Sequence, residues 1–474
     1  MVVAGVLSPS TSTVEFDLSV VQKMRQSGPR YKSYPTTDRF TDAFDYRDYL
    51  QAVASMRTHG TKKPLSIYVH IPFCDMVCDY CDWNKVVGKK VDKAATYLSY
   101  LKREIAMQGQ LFVGMNTVEQ LHFGGGTPTY ISDAQMDDLM THLRRWFRFS
   151  SDEIGEYSIE INPLTTSADR VHSLRRQGFN RISFGIQNLD EEVHKAPNHI
   201  QPTAQVFSIL GAARDAGFRS ISVDLMYGFP LQTIETISRT LAATIDAKPD
   251  RIAIYNYTHS PHLFKPHCKM TGDALPNTET KLDLLALCIR TLTEAGYTYI
   301  GMNHFAKPDD DLAIAQQQGR LHRNFQGYSI HADSDMVSCG VSAISAVGMT
   351  YSQNVKTLEA YYDRIDKNEL PIARGIKLSM DDVLRRRIIQ MLMCNFELSI
   401  SSIESAYPIV FADYFCAELK ILHELEQDGL LSVDDGWLSV SGKGRFVIRN
   451  ICMIFDHYLD AFDKQQGFSK THLM

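Results

Sequence analysis

The sequence contains no run approaching the roughly 18 consecutive apolar residues that a membrane-spanning helix needs. An excess of positive charge is missing too. Its 49 Lys and Arg stand against 55 Asp and Glu, a net charge of −6, which argues against a general nucleic-acid binder. Nor is there a paired-cysteine framework. The nine cysteines are odd in number, and Cys268, Cys288, Cys339, Cys394, Cys416 and Cys452 are scattered singly. That pattern excludes a secreted disulfide scaffold and leads us to expect a reducing cytoplasm. The opening residues, Met1-Val-Val-Ala-Gly-Val-Leu7, lack the basic stretch of a signal peptide. With 474 residues, 44% hydrophobic and 22% charged, the chain reads as an ordinary globular protein of two or more domains.

The remaining three cysteines are clustered. The stretch Ser66-Ile-Tyr-Val-His-Ile-Pro-Phe-Cys74-Asp-Met-Val-Cys78-Asp-Tyr-Cys81 follows a β-branched run with thiols at C-x3-C-x2-C spacing. Soft thiolates suit iron–sulfur sites, and such clusters usually take four cysteines. Here one loop supplies three, which leaves one iron open to a non-protein ligand. A structural zinc site would want a fourth Cys or His at matching spacing, and none follows closely.

The rest of the chain alternates strand and helix from Ser66 to about Ile254. Leu98, Leu101 and Ile105 share a helical face. Strands are predicted at Val118–Phe123, Ser158–Ile161, Arg181–Phe184, Ser220–Leu225 and Arg251–Tyr255. Gly178-Phe179, Gly217-Phe218 and Gly296-Tyr297 repeat one pattern, a glycine where a helix should end. About six βα units predict an α/β fold: a parallel sheet forming a complete or partial barrel, with chemistry at its C-terminal rim. Residues 1–26 read as a polar, irregular tail or clamp. Ser27–Thr36, rich in turn formers and aromatics, reads as a segment covering a site, with Arg30 and Lys32 offering charge. The pattern changes beyond about residue 365. Helices and a hairpin turning at Asp435-Gly436 predict a mostly helical, winged-helix-like lobe, expected to act as a lid. The expected segments are therefore 1–55, 56–364 and 365–474.

Gly124-Gly125-Gly126-Thr127-Pro128, at a predicted strand end, permits close approach of backbone to a ligand. Glu160, Gln187 and Asp224 place polar groups at the ends of the next three strands. Together with the cysteine spacing these stretches resemble the radical S-adenosylmethionine (SAM) superfamily. Tyr68-Val-His-Ile-Pro-Phe-Cys74, His122-Phe-Gly-Gly-Gly-Thr127-Pro-Thr-Tyr130, Tyr227-Gly-Phe-Pro230, Asn303-His-Phe-Ala306, His322-Arg-Asn-Phe-Gln-Gly327-Tyr and Arg449-Asn-Ile-Cys452 narrow the resemblance. They are similar to the oxygen-independent coproporphyrinogen III oxidase (coproporphyrinogen dehydrogenase) family, from Ser27 to Phe468.

That resemblance implies a [4Fe-4S] cluster on Cys74, Cys78 and Cys81, with SAM on its open iron. It implies contacts to that SAM from Tyr68, Gly125, Glu160 and Ile344. Family members also bind a second SAM, and Tyr80, Gly126, Thr127, Gln187, His199, Asp224 and Thr258 fall at its contacts. Gln326 and Tyr80 are the candidate catalytic residues. Arg30 and Arg323 are candidates for substrate carboxylates, because the guanidinium fork suits them. The implied reaction removes a hydrogen atom from a propionate β-carbon; the substrate radical then loses carbon dioxide and one electron, leaving a vinyl group. Two such rounds convert coproporphyrinogen III to protoporphyrinogen IX. The expected partners are this porphyrinogen and a low-potential electron donor such as flavodoxin or ferredoxin, on a monomeric protein.

Two departures from the family pattern stand out. After the third cluster cysteine the family continues Gly-Cys-Asn, whereas this chain reads Asp82-Trp83-Asn84. His199 replaces an arginine expected at the second SAM, and Thr258 replaces a small alanine. A neutral His does not reproduce a permanent bidentate cation. The competing expectation is therefore a divergent paralogue, which binds haem or a porphyrin as a chaperone or does radical chemistry on another tetrapyrrole.

Overall fold

The computed structural model describes residues 14–24, 29–59, 63–76, 78–81, 86–88, 91–114, 117–195, 201–262, 264–270, 272–331 and 334–459. It divides into two compact units. One comprises Arg39–Asn277 with Asp333–Lys377, the other Met1–Asp38, Thr278–Ala332 and Leu378–Met474.

The first unit is built on a curled parallel sheet. Its strands run in the spatial order Arg251–Asn256, Ser220–Tyr227, Arg181–Gln187, Glu156–Ile161, Thr117–Gly125, Leu65–Ile71 and Asp335–Cys339. Every neighbouring pair in that series is parallel. Ile344–Val347, Thr350–Asn354 and Ile372–Lys377 then continue it antiparallel. The six strands from Leu65 to Asn256 keep chain order, each neighbour joined through a helical crossover. This is the partial six-unit barrel expected from the sequence.

Strand parity sorts the two faces. Ile67, Val69, Leu121, Phe123, Ile159, Ile182, Phe184, Ile221, Val223 and Leu225 point outward and are buried beneath the helices. The alternate residues point inward and are polar: Ser66, Tyr68, His70, Gln120, His122, Ser158, Glu160, Ser183, Ser222 and Asp224. At the strand starts Arg181 Nε lies 3.1 Å from Glu156 Oε1, and Arg251 Nη1 lies 3.6 Å from the same oxygen. Glu156 and Arg251 stand on strands three places apart, about 14 Å on a flat sheet, and the curl brings their side chains together.

The repeated glycines behave as the sequence predicts. Gly178, Gly217 and Gly296 have φ of 105°, 78° and 89°. After each, the aromatic N–H returns to a carbonyl five residues back: Phe179 to Leu174, Phe218 to Ala213 and Tyr297 to Leu292. These are Schellman caps, with the aromatic ring buried as the apolar contact.

In the second unit helix Met380–Asn395 precedes a three-stranded sheet ordered Glu397–Ser399, Trp437–Val440, Leu431–Asp434, with helix Cys416–Gln427 between its strands. Asp435 and Gly436 both have positive φ, 47° and 77°, as the type I′ turn requires. One expectation is corrected here. The segment 1–26 is not irregular throughout, because Leu18–Lys23 forms a helix capped by the Asp17 side chain. It is clamped to the same unit by Asp17–Lys443 and Lys23–Asp428 ion pairs and by Asn450 Nδ2 donating to Met24 O. No described helix is long and apolar enough to cross a membrane.

Candidate active site

The cysteine loop leaves the C-terminal end of strand Leu65–Ile71, so its thiols stand at the mouth of the curled sheet. Cys74, Cys78 and Cys81 form no disulfide and are half-buried. The glycine run packs directly on this loop: Gly126 N–H donates to Ile71 O (2.8 Å) and Thr127 N–H to Phe73 O (2.8 Å). Thr127 Oγ1 stands 3.7 Å from Cys74 Sγ. A Cβ at Gly126 would lie 2.8 Å from that sulfur and 2.6 Å from Phe73 O, and one at Gly125 would meet the His70 ring at 2.7 Å. Both positions therefore require glycine, and the cradle they leave beside the thiols suits a bulky group. Among the described residues no group of three or more His, Cys, Asp or Glu side chains is placed to hold a metal ion.

Inside the mouth, polar side chains from adjacent strands meet. His122 Nε2 lies 3.0 Å from Glu160 Oε1, and its Nδ1 lies 2.5 Å from Ser158 Oγ. Tyr68 stacks on His122 with ring centroids 5.8 Å apart, and its hydroxyl is 3.0 Å from His70 Nδ1. Burial pushes the His70 ring down to about 4 against the pull of Glu160, so this histidine is neutral at ordinary pH. Burial alone would raise the Glu160 carboxyl. The hydrogen bond and attraction from His122, the Gly125 N–H and His70 outweigh it and hold the carboxyl below the ordinary range. The Glu160 side chain keeps 46% of its surface exposed. Asp224 goes the other way: burial and the nearby Glu160 charge push it up to about 7, against a hydrogen bond from Ser183. Two carboxylates in one mouth are thus set apart in proton affinity.

The sequence-predicted residues of this unit gather at the mouth. Gln187 ends its strand at φ 66°, after a register shift between Gly185 and Gln187. Asp224 sits within strand Ser220–Tyr227 rather than at its end. Tyr80, between the second and third cysteines, packs edge-on against Phe229 at 5.6 Å in a cluster with Val193, Tyr257 and Met270. Burial and the surrounding cysteines raise its hydroxyl well above the ordinary range. Thr258 is exposed, directly after Tyr257, whose N–H donates to Tyr227 O at 2.8 Å. Ile344 heads the strand beyond Asp335–Cys339, where its carbonyl accepts from Ser338 Oγ, the register partner of Tyr68. Asp82, Trp83, Asn84 and His199 lie outside the described residues.

Arg30, Arg323 and Gln326 belong to the other unit, where Arg323 and Gln326 share one hairpin, Arg323 reaches the Arg30 backbone and Arg30 itself is exposed. Gln326 sits at the tip of hairpin His322–Asn324/Gly327–Ser329, its N–H on Asn324 Oδ1 at 2.8 Å. Arg323 Nη1 donates to Arg30 O, and the guanidinium lies 5.4 Å from the Tyr328 ring centre. Its side chain is buried, and its Nε has no partner among the described residues. His304 is pushed down to about 4 by burial and by the Arg323 charge. His70, His122, Ser158 and Ser183 were not singled out from the sequence, although the two-residue period of polar positions on each strand marks them.

Two family models match the chain: the Radical SAM superfamily over residues 68–243 and the HemN C-terminal domain over 378–447. The oxygen-independent coproporphyrinogen III oxidase of Escherichia coli (strain K12) is 45% identical over 462 residues, covering 98% of this chain and 100% of the relative. The chain belongs to the oxygen-independent coproporphyrinogen III oxidase family. A Pseudomonas aeruginosa member is 42% identical over 459 residues, covering 97% of this chain and 99% of its own. The solved structure of the E. coli coproporphyrinogen III oxidase (HemN), a radical SAM enzyme, superposes with a TM-score of 0.89 at 44% identity. It covers 94% of this chain and 100% of that one. The family's cofactors are a [4Fe-4S] cluster and SAM, and the three-thiol loop with its glycine cradle fits both.

Proposed function

We propose that this chain is an oxidoreductase that oxidatively decarboxylates two propionate side chains of coproporphyrinogen III to vinyl groups. The product is protoporphyrinogen IX, in haem biosynthesis. The observation that carries this reading is the full-length likeness to the E. coli oxidase, which takes in both the cysteine loop and the hairpin of Arg323 and Gln326. In this reading Cys74, Cys78 and Cys81 ligate the cluster. Tyr68, Gly125, Glu160 and Ile344 contact the SAM on it, while Tyr80, Gly126, Thr127, Gln187, His199, Asp224 and Thr258 contact a second. Bound there, the cluster and SAM would supply the one-electron chemistry that removes the propionate hydrogen.

The chain's own groups orient and shield. Ionised Glu160, fixed by His122, is available to polar hydroxyl or amine groups of SAM, whereas Asp224 can carry a proton at neutral pH. Arg323 is a buried guanidinium in no ion pair among the described residues, and a buried cation is costly without an anion. A propionate carboxylate of the substrate supplies one, with Arg30 beside it and Gln326 close to the reacting carbon. The roles of 1–55 and 365–474 as covering segments about the barrel of 56–364, the low-potential donor (flavodoxin or ferredoxin), the monomeric state and the cytoplasmic location belong to the same proposal.

A second reading, a paralogue that binds haem or a porphyrin, is favoured by Asp82-Trp83-Asn84 and His199. An anaerobic assay separates the two. Protein reconstituted with iron and sulfide is given SAM, a low-potential reductant and coproporphyrinogen III, and porphyrins and 5′-deoxyadenosine are followed by chromatography. Protoporphyrin formation establishes the oxidase. Activity that appears only in the Trp83→Cys, His199→Arg double variant, or deoxyadenosine without decarboxylated product, establishes the paralogue.

A further inference from the structure

Glu104 is a carboxylate with no exposed surface, on helix Val91–Phe112 behind the sheet. It accepts three hydrogen bonds at once: Gly340 N–H at 2.6 Å and Tyr361 hydroxyl at 2.5 Å on Oε2, and Asn354 Nδ2 at 2.7 Å on Oε1. Two of these donors belong to the scaffold of one turn. Asn354 Nδ2 also donates to Gly340 O at 2.8 Å, so Glu104 and Gly340 share that amide.

The turn Gly340–Ala343 leads directly into Ile344. It holds two left-handed residues, Gly340 at φ 111° and Ser342 at φ 61°, and the second is disfavoured for any side chain. Such a turn persists only where its surroundings hold it. Besides Glu104, Tyr97 does so: its hydroxyl accepts from Val341 N–H at 3.1 Å and donates to His70 O at 2.8 Å. A Cβ on Gly340 would lie 2.5 Å from that hydroxyl and 2.9 Å from His70 O. The turn is therefore wedged against the end of the strand that feeds the cysteine loop. Tyr97 and Tyr361 pack together, ring centroids 5.6 Å apart, so both clamps form one buried cluster.

We propose that Glu104 is a positioning residue for SAM: through Gly340, Asn354 and Tyr361 it fixes the turn that presents Ile344 beside Tyr68. The inference rests on the functional reading above, which places Ile344 and Tyr68 against SAM. A carboxylate suits the role, since it has lone pairs for all three contacts. An amide of the same size would set an N–H2 group against a donor.

The test compares the reconstituted full-length protein with Glu104→Gln and Tyr361→Phe at about pH 8, where an acid of this kind is ionised. Three quantities are read: iron content, the electron paramagnetic resonance signal of the reduced cluster with and without SAM, and KM for SAM separately from kcat. In Glu104→Gln the iron content and the SAM-free signal should match the parent, while SAM binding weakens about thirtyfold, the worth of one charged hydrogen bond. KM should rise with it and kcat change little. Tyr361→Phe, which removes a hydroxyl and keeps the ring, should shift the same quantities by about threefold. Should Glu104→Gln fail to fold, Tyr361→Phe decides by the same criterion. The inference is overturned if the folded variants bind SAM as the parent does, or if binding falls only in step with iron content. A parent protein that binds no SAM overturns the functional reading instead.

Discussion

Glu160 Oε1 lies 3.0 Å from His122 Nε2 on the neighbouring strand, and this bond separates the two carboxylates of the mouth. Glu160 is held ionised, and its charge helps to push Asp224 up to about 7. Glu160→Gln should therefore bring the Asp224 pKa down toward the ordinary carboxylate range. Infrared difference titration, with the band assigned by its loss in Asp224→Asn, measures this. An unmoved Asp224 would mean that burial alone sets its value.

Glu104 gives a stability prediction of definite sign. Burial pushes its carboxyl up to about 7 despite bonds from Tyr361, Gly340 and Asn354. An acid whose folded pKa exceeds its unfolded one stabilises fully below the unfolded value, and that contribution is lost as pH rises through the folded value. The window runs from about 4.5 to about 7, and the loss is at most about 3 kcal/mol. Asp224 titrates in the same direction. The change in urea-unfolding free energy between acidic and neutral pH should accordingly be smaller in Glu104→Gln than in the parent.

Gly126 can be tested through the metal. A Cβ there would press on Cys74 Sγ at 2.8 Å and on a backbone carbonyl at 2.6 Å, and backbone cannot yield as a flexible side chain does. Gly126→Ala should lower iron bound per chain after reconstitution. Full iron content would show that the loop accommodates the methyl group.

Arg323 should act on substrate alone. Arg323→Met keeps much of the stem's packing against Tyr328 and removes the charge. A lost charged hydrogen bond is worth about 2 kcal/mol, so KM for coproporphyrinogen III should rise roughly thirtyfold. Deoxyadenosine formed in the absence of substrate should be unaffected. Equal losses in both would place Arg323 in the fold rather than in recognition.

The local chemistry of the chain was readable in advance wherever one short stretch carries it. Gly178, Gly217 and Gly296 announce their caps, Asp435-Gly436 its turn, and the alternation from Ser66 to Ile254 its parallel sheet. Less legible were features made by distant partners. Leu18–Lys23 is helical because Lys443 and Asp428 receive it, residues more than four hundred positions away. The inner ring of His70, His122, Ser158 and Ser183 becomes a site only once register sets four strands side by side. Glu104 carries no motif at all; its role depends on Gly340, Asn354 and Tyr361, which no spacing joins to it.

The ion pairs of Glu156 with Arg181 and Arg251 bear on traffic. They fill the base of the curled sheet with interlocked charge, below Ser158 and Ser183, and Glu156 and Arg181 are each only 5% exposed. The vessel so formed has a floor. Among the described residues this charge closes the base of the sheet, so reagents held above Ser158 and Ser183 face the rim that carries the thiols and turn their backs on the floor.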